Sequence, residues 1–127
     1  MKTLKELDEL VLNIQSSITN QETKTQKKLV KIYDKIKKIY KEYQEDVEEL
    51  RIDNASVDEK DILIIDEKGN YKFTKENLKK FKKEVKTLGE KKFDYKPIEV
   101  VNPKGLEEFS FLKGWVTGVK FEEEEEL

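Results

Sequence analysis

A chain of 127 residues is one domain's worth, long enough for a modest core and too short for two. Charged residues make up 43% against 35% hydrophobic, yet 26 Lys and Arg nearly cancel 28 Asp and Glu, so a net charge of −2 argues against a global polyelectrolyte partner. The chain has no Cys and no His, which removes disulfides, thiolate chemistry, the commonest general base and the commonest zinc ligand. Catalysis would be left to carboxylates, Lys, Tyr and Ser, and no cofactor is expected.

The opening MKTLKELDEL alternates charge with Leu and has no uninterrupted apolar stretch, and no apolar run approaches membrane-spanning length. This reads as a soluble, intracellular chain without a membrane partner. Leu4, Leu7, Val11, Ile14 and Ile18 recur at steps of three and four, which predicts a first helix over residues 3–18. Leu29, Tyr33, Ile36, Tyr40, Tyr43, Val47 and Leu50 continue that alternation for three heptads and predict a dominant second helix. Between them, Thr19 and Glu22 match a capping box, so the helix can restart after a turn and form a hairpin. The step from Ile18 to Leu29 equally suits one unbroken helix whose apolar seam stays in phase through a stutter. In the hairpin, a second helix of about 40 Å outreaches a first of about 24 Å. Part of its ridge must then be covered by the C-terminal half or by another copy of the chain.

After a polar joint, residues 61–73 predict a β-hairpin turning at DEKGN with Gly69 at positive φ. Thr74 caps a third helix with the stripe Leu78, Phe81, Val85 and Leu88, and Gly89 stands where a left-handed residue would end it. Then follow an extended DYKPIEVV, in which Pro97 favours an edge strand, a loop NPKG, and a short amphipathic turn LEEFSFL. The strand WVTGVKF is expected to carry Trp115, Thr117, Val119 and Phe121 on one side. The ending EEEEEL reads as a solvated charge run. The expected class is α+β: a helical hairpin or single long helix over residues 1–56, then a cap over 57–127. That cap holds a small β-hairpin, the third helix and a short antiparallel C-terminal sheet, within one structural unit.

Most motifs with chemical content fail on their residues. A phosphate cradle needs several glycines, and Gly69 stands alone beside Asp66 and Glu67, while the calcium-loop pattern is incomplete. Asp66 with Asp94, Tyr95 and Lys96 loosely resembles the carboxylate pair and Lys of some metal-dependent nucleases, a pattern that chance supplies easily in a chain rich in these residues. No catalytic or metal residue is assigned, and the protein is expected not to be an enzyme.

Charge order along the second helix carries more information. Lys24 to Lys41 holds eight Lys against one Asp, and Glu42 to Leu50 holds five acids and no base. This opposes the helix macrodipole, so local helix stability does not account for it. Antiparallel pairing with a second copy would account for it, as would a solvated face. The lysines could also touch nucleic acid, with Tyr33 and Tyr40 stacking on bases, but both tyrosines lie in the apolar stripe and no Arg is at hand to read base edges. The expected interaction surface is Leu29, Tyr33, Ile36, Tyr40, Tyr43, Val47, Leu50 and Trp115. Its partner is another copy or a second protein.

The run from KKLVKIYDKIKKIYKEYQEDVEELR through DEKGNYKFTKENLKKFKKEVKTL to KPIEV, residues 24–101, resembles small uncharacterised proteins encoded by tailed bacteriophages and prophages. That resemblance implies a long charged helix, a turn, a second helix and a short β-rich end, and no catalytic residue. It implies a virion-assembly or structural accessory protein working in the bacterial cytoplasm or within the virion. A phage-encoded inhibitor of a host defence protein is the alternative.

Overall fold

The computed structural model describes residues 1–121, so the acidic run at 122–127 lies outside the described residues. In chain order the elements are β1 (Lys2–Thr3), α1 (Leu4–Ile18), α2 (Thr23–Asn54), α3 (Lys75–Gly89), β2 (Lys92–Phe93), β3 (Ile98–Glu99), a 3-10 turn at Ser110–Leu112 and β4 (Val116–Thr117). The class is mixed helix and strand, as the periodicities imply.

The first two helices form a hairpin. Gln26 donates to the Ile18 carbonyl at 2.8 Å, and the Tyr40 hydroxyl donates to Asp8 at 3.1 Å, so α1 runs back along α2. The capping box lies elsewhere than Thr19 and Glu22, because Thr19 stays in helical conformation as the last cap of α1 and Glu22 precedes α2 without a side-chain cap. Thr3 and Glu6 form the box instead: Thr3 Oγ1 accepts from the Glu6 N–H, and the Thr3 N–H donates to the Glu6 carboxylate. That backbone donor holds the Glu6 pKa below its ordinary value.

At 1.5 Å per residue α2 is about 48 Å long and α1 about 22 Å, so α1 cannot shield the whole ridge. The remainder is covered from within the same chain. Arg51, near the end of α2, lies over the Phe81 ring of α3 at 5.6 Å, and Asn54 donates to Glu84 at 3.3 Å. The far end of α3 meets the start of α1, where a Cβ on Gly89 would sit 3.3 Å from Lys5 Cβ. Gly89 is therefore the last residue of the helix proper, without positive φ, and not a left-handed terminator. Its small size is used for close helix approach. From there β2 pairs antiparallel with β1, locking the start of α1 beside the end of α3.

The C-terminal segment closes the core. Leu106, Phe109, Leu112, Trp115 and Val116 are buried in one cluster with Leu7, Leu10, Val11, Leu29 and Ile36. Tyr95 meets the Trp115 ring edge-on at 4.9 Å and donates its hydroxyl to the Trp115 carbonyl, and Lys2 lies over the Trp115 ring. The C-terminal sheet is parallel, correcting the antiparallel expectation: β3 pairs with β4 in the register Ile98 to Val116 and Glu99 to Thr117. The expected strand WVTGVKF shrinks to two residues. Trp115 and Val116 are consecutive and both buried, which breaks the alternation, and Gly118 at φ +85 turns the chain.

Residues 57–73 form a more specific object than a hairpin. The octads VDEKDILI and IDEKGNYK, residues 57–64 and 65–72, build the same turn twice. Asp58 accepts from the Lys60 and Ile62 N–H groups as Asp66 does from Lys68 and Asn70, and Asp61 at φ +62 matches Gly69 at φ +80. Three residues eight apart then close a ring of backbone hydrogen bonds. Ser56 N–H donates to Lys72 C=O at 2.8 Å, Lys72 N–H to Ile64 C=O at 3.0 Å, and Ile64 N–H to Ser56 C=O at 3.0 Å. This closure satisfies the inner main-chain groups of all three segments where α2 ends.

Candidate functional site

The ridge expected to be a docking surface is mostly core. Leu29, Ile36, Tyr40 and Tyr43 are buried, Tyr33, Val47 and Leu50 are half-buried, and Trp115 is 4% exposed. Burial follows from α1 on one stretch, α3 on the next and the C-terminal segment beside them, which leaves Tyr33, Val47 and Leu50 as the partly accessible remainder of the stripe. Tyr40 is unavailable for stacking on bases because its ring is buried, and its hydroxyl donates to Asp8. Burial and that bond push its pKa up to about 12, and burial followed by the same carboxylate raises Tyr43.

The nuclease-like pattern gains no support from its geometry. The Asp66 carboxylate is occupied by two N–H groups of its own turn, and Tyr95 faces Trp115. Among the described residues no three acidic side chains form a group that would hold a metal.

Most of what α2 leaves exposed is charge. Lys28, Lys31 and Lys35 recur at i, i+3 and i+7 on α2, flanking the buried positions Leu29, Ile32 and Ile36, so the helical period aligns them along one side. Across from them runs residues 98–102. The two walls enclose a cleft of about 350 Å³ with Ile32, Ile98, Val100 and Leu106 as its apolar part and Glu99 and Asn102 as its polar part. Lys28 donates to the Lys104 carbonyl, which ties the 103–106 turn to α2. That turn lies so close that a Cβ on Gly105 would come within 2.8 Å of Thr25 Oγ1. Among the described residues, Lys31 and Lys35 form no salt bridge; the ion pair in this half of α2 joins Lys37 to Asp34 at 3.3 Å.

The strand wall is half-satisfied. Ile98 N–H donates to Trp115 C=O at 3.1 Å and Val100 N–H to Thr117 C=O at 2.9 Å, so both point towards β4. The alternate groups, Glu99 N–H and C=O and Val101 N–H, point away and have no protein partner among the described residues. Ile98 and Val100 turn their side chains to the core, and Val101 is 92% exposed.

A second exposed feature lies at the other end of α2. The antiparallel pairs Val57–Leu63 and Ile65–Tyr71 put these four side chains on one face of the octad unit, where Val57 is 47% and Ile65 55% exposed. Sequence reasoning singled out the lysines but not residues 98–102, because nothing local says which helix an edge strand will lie against. Among the described residues no helix is long and apolar enough to cross a membrane. In comparison with known proteins, no family model, curated protein or solved structure matches this chain.

Proposed function

We propose that this chain is a non-enzymatic protein-interaction component that receives a carboxylate-bearing segment of another protein in the lysine-lined cleft. The observation that carries the reading is that Lys31 and Lys35, free of salt bridges among the described residues, stand beside Lys28 over an apolar floor. Lys–carboxylate attraction across such a surface steers encounter and selects partners by sign, while the apolar floor adds contact area. The resemblance to phage-encoded proteins points to virion assembly as the setting, with the partner a second assembly protein. The alternative, an inhibitor of a host defence protein, draws on the opposite half of α2, where Glu42, Glu45, Asp46 and Glu49 are exposed carboxylates able to imitate a nucleic-acid backbone.

The test uses the full chain and a fluorescent eight-residue peptide alternating Glu and Val, followed by anisotropy. Saturable binding is expected, weakening about tenfold or more on adding salt or in the double variant Lys31→Glu/Lys35→Glu, which reverses two exposed charges without touching the core. Absence of binding at low salt, or binding indifferent to the double variant, overturns the reading.

A further inference from the structure

We propose that the acidic segment enters the cleft in extended form, as a strand added to the open edge of β3. This rests on the reading of the cleft as a carboxylate site and goes beyond it by fixing the conformation of the bound segment. The open edge and the lysines belong to one cleft. Glu99 offers an N–H and a C=O, and Val101 a further N–H, in the alternation that a third strand would complete.

The opposite wall matches that geometry. Lys28 to Lys35 spans about 10.5 Å of α2 and three alternate positions of a strand about 13.5 Å, a difference that long lysine side chains take up, so acids at every second position can meet successive lysines. The intervening side chains face the other way, as a strand requires. Glu99 would repel a carboxylate placed directly opposite it, which favours an apolar or hydroxyl residue at that position of the segment. A strand added here extends the pair β3–β4 to three strands, the number at which a small sheet becomes stable on its own terms.

The experiment compares the Glu/Val peptide with a version N-methylated at every second residue, which keeps all charges and removes the N–H donors along one edge. Two methylated peptides, offset by one residue, cover both possible registers. Amide hydrogen exchange of the full chain is followed with and without peptide. Added-strand binding predicts that one methylated peptide binds at least tenfold more weakly and that exchange at Glu99 and Val101 slows when the unmodified peptide is bound. If both methylated peptides bind as well as the parent, or those amides keep exchanging freely, the added strand is refuted while the charge-based site stands. If no peptide binds at all, the underlying reading fails with it. A single-stranded oligothymidylate that binds where the peptide does not overturns both in favour of a nucleic-acid partner. Salt-sensitive self-association that is lost in Lys31→Glu/Lys35→Glu, without peptide binding, overturns both in favour of a second copy.

Discussion

Gly118→Ala is the substitution that best tests how the strand wall of the cleft is held. Both Gly118 and Gly69 have positive φ, +85 and +80, but their surroundings differ: a Cβ on Gly69 meets nothing within 4 Å, whereas on Gly118 it would lie 2.6 Å from the Val100 carbonyl oxygen. Forcing Ala into a left-handed conformation costs about 1–2 kcal/mol, offset by about 0.4–1 kcal/mol from the reduced freedom of the unfolded chain. Gly69→Ala should therefore lose on the order of 1 kcal/mol. At Gly118 the colliding atom is main chain and must move, which strains the neighbouring bond from Val100 N–H to Thr117 C=O, 2.9 Å long, worth about 1 kcal/mol. Gly118→Ala should then lose about 2 kcal/mol in total, roughly twice the loss at Gly69 and a sizeable share of a typical domain's stability. Urea unfolding of both variants, with equal denaturant slopes, reads the difference. A Gly118→Ala protein no less stable than Gly69→Ala would refute the close approach of the two strands.

Leu29→Ala, at a fully buried position between α1 and the C-terminal segment, should lose about 3–4 kcal/mol by thermal or urea unfolding; a loss under about 1 kcal/mol would contradict its burial. Asp58→Ala and Asp66→Ala each remove the acceptor of two turn N–H groups and should each lose about 1–2 kcal/mol, similar because the two turns share one hydrogen-bond pattern. Markedly unequal losses would argue against their equivalence. Tyr40 and Tyr95 are both pushed up to about 12, Tyr95 by burial and Tyr40 by burial and Asp8. Because the folded pKa exceeds the unfolded one, the stability they contribute is complete below pH 10 and is lost as pH rises towards 12. Unfolding measured across that window should show the fall, and Tyr40→Phe should make it shallower. A pH-independent stability between those limits would contradict it.

Much of the framework was legible before any coordinates. The stripe Leu4 to Ile18, the longer stripe from Leu29, the cap at Thr74 and the positive φ of Gly69 are all local consequences of period and turn chemistry, and each appears in place. The duplicated octad is equally visible in VDEKDILI and IDEKGNYK, but its local pattern suits a simple hairpin, and the ring joining Ser56, Ile64 and Lys72 exists only once three segments meet. Gly89 is similar: a glycine after a helical stripe suits a left-handed end, but here an approaching Lys5 decides its role.

The sequence by itself determined which segments are helical and which of their faces are apolar, because those properties depend on residues three or four apart, but it left open whether α1 and α2 were one helix. It did not determine what covers α2 beyond the reach of α1, that β3 and β4 run parallel, or that the lysines of α2 face an unpaired strand edge. Each of those depends on residues far apart in the chain, such as Ile98 with Val116 or Lys28 with Lys104, 76 positions apart. Such pairs are chosen by competition for shared buried surface and for main-chain partners, a choice made only when the whole chain packs.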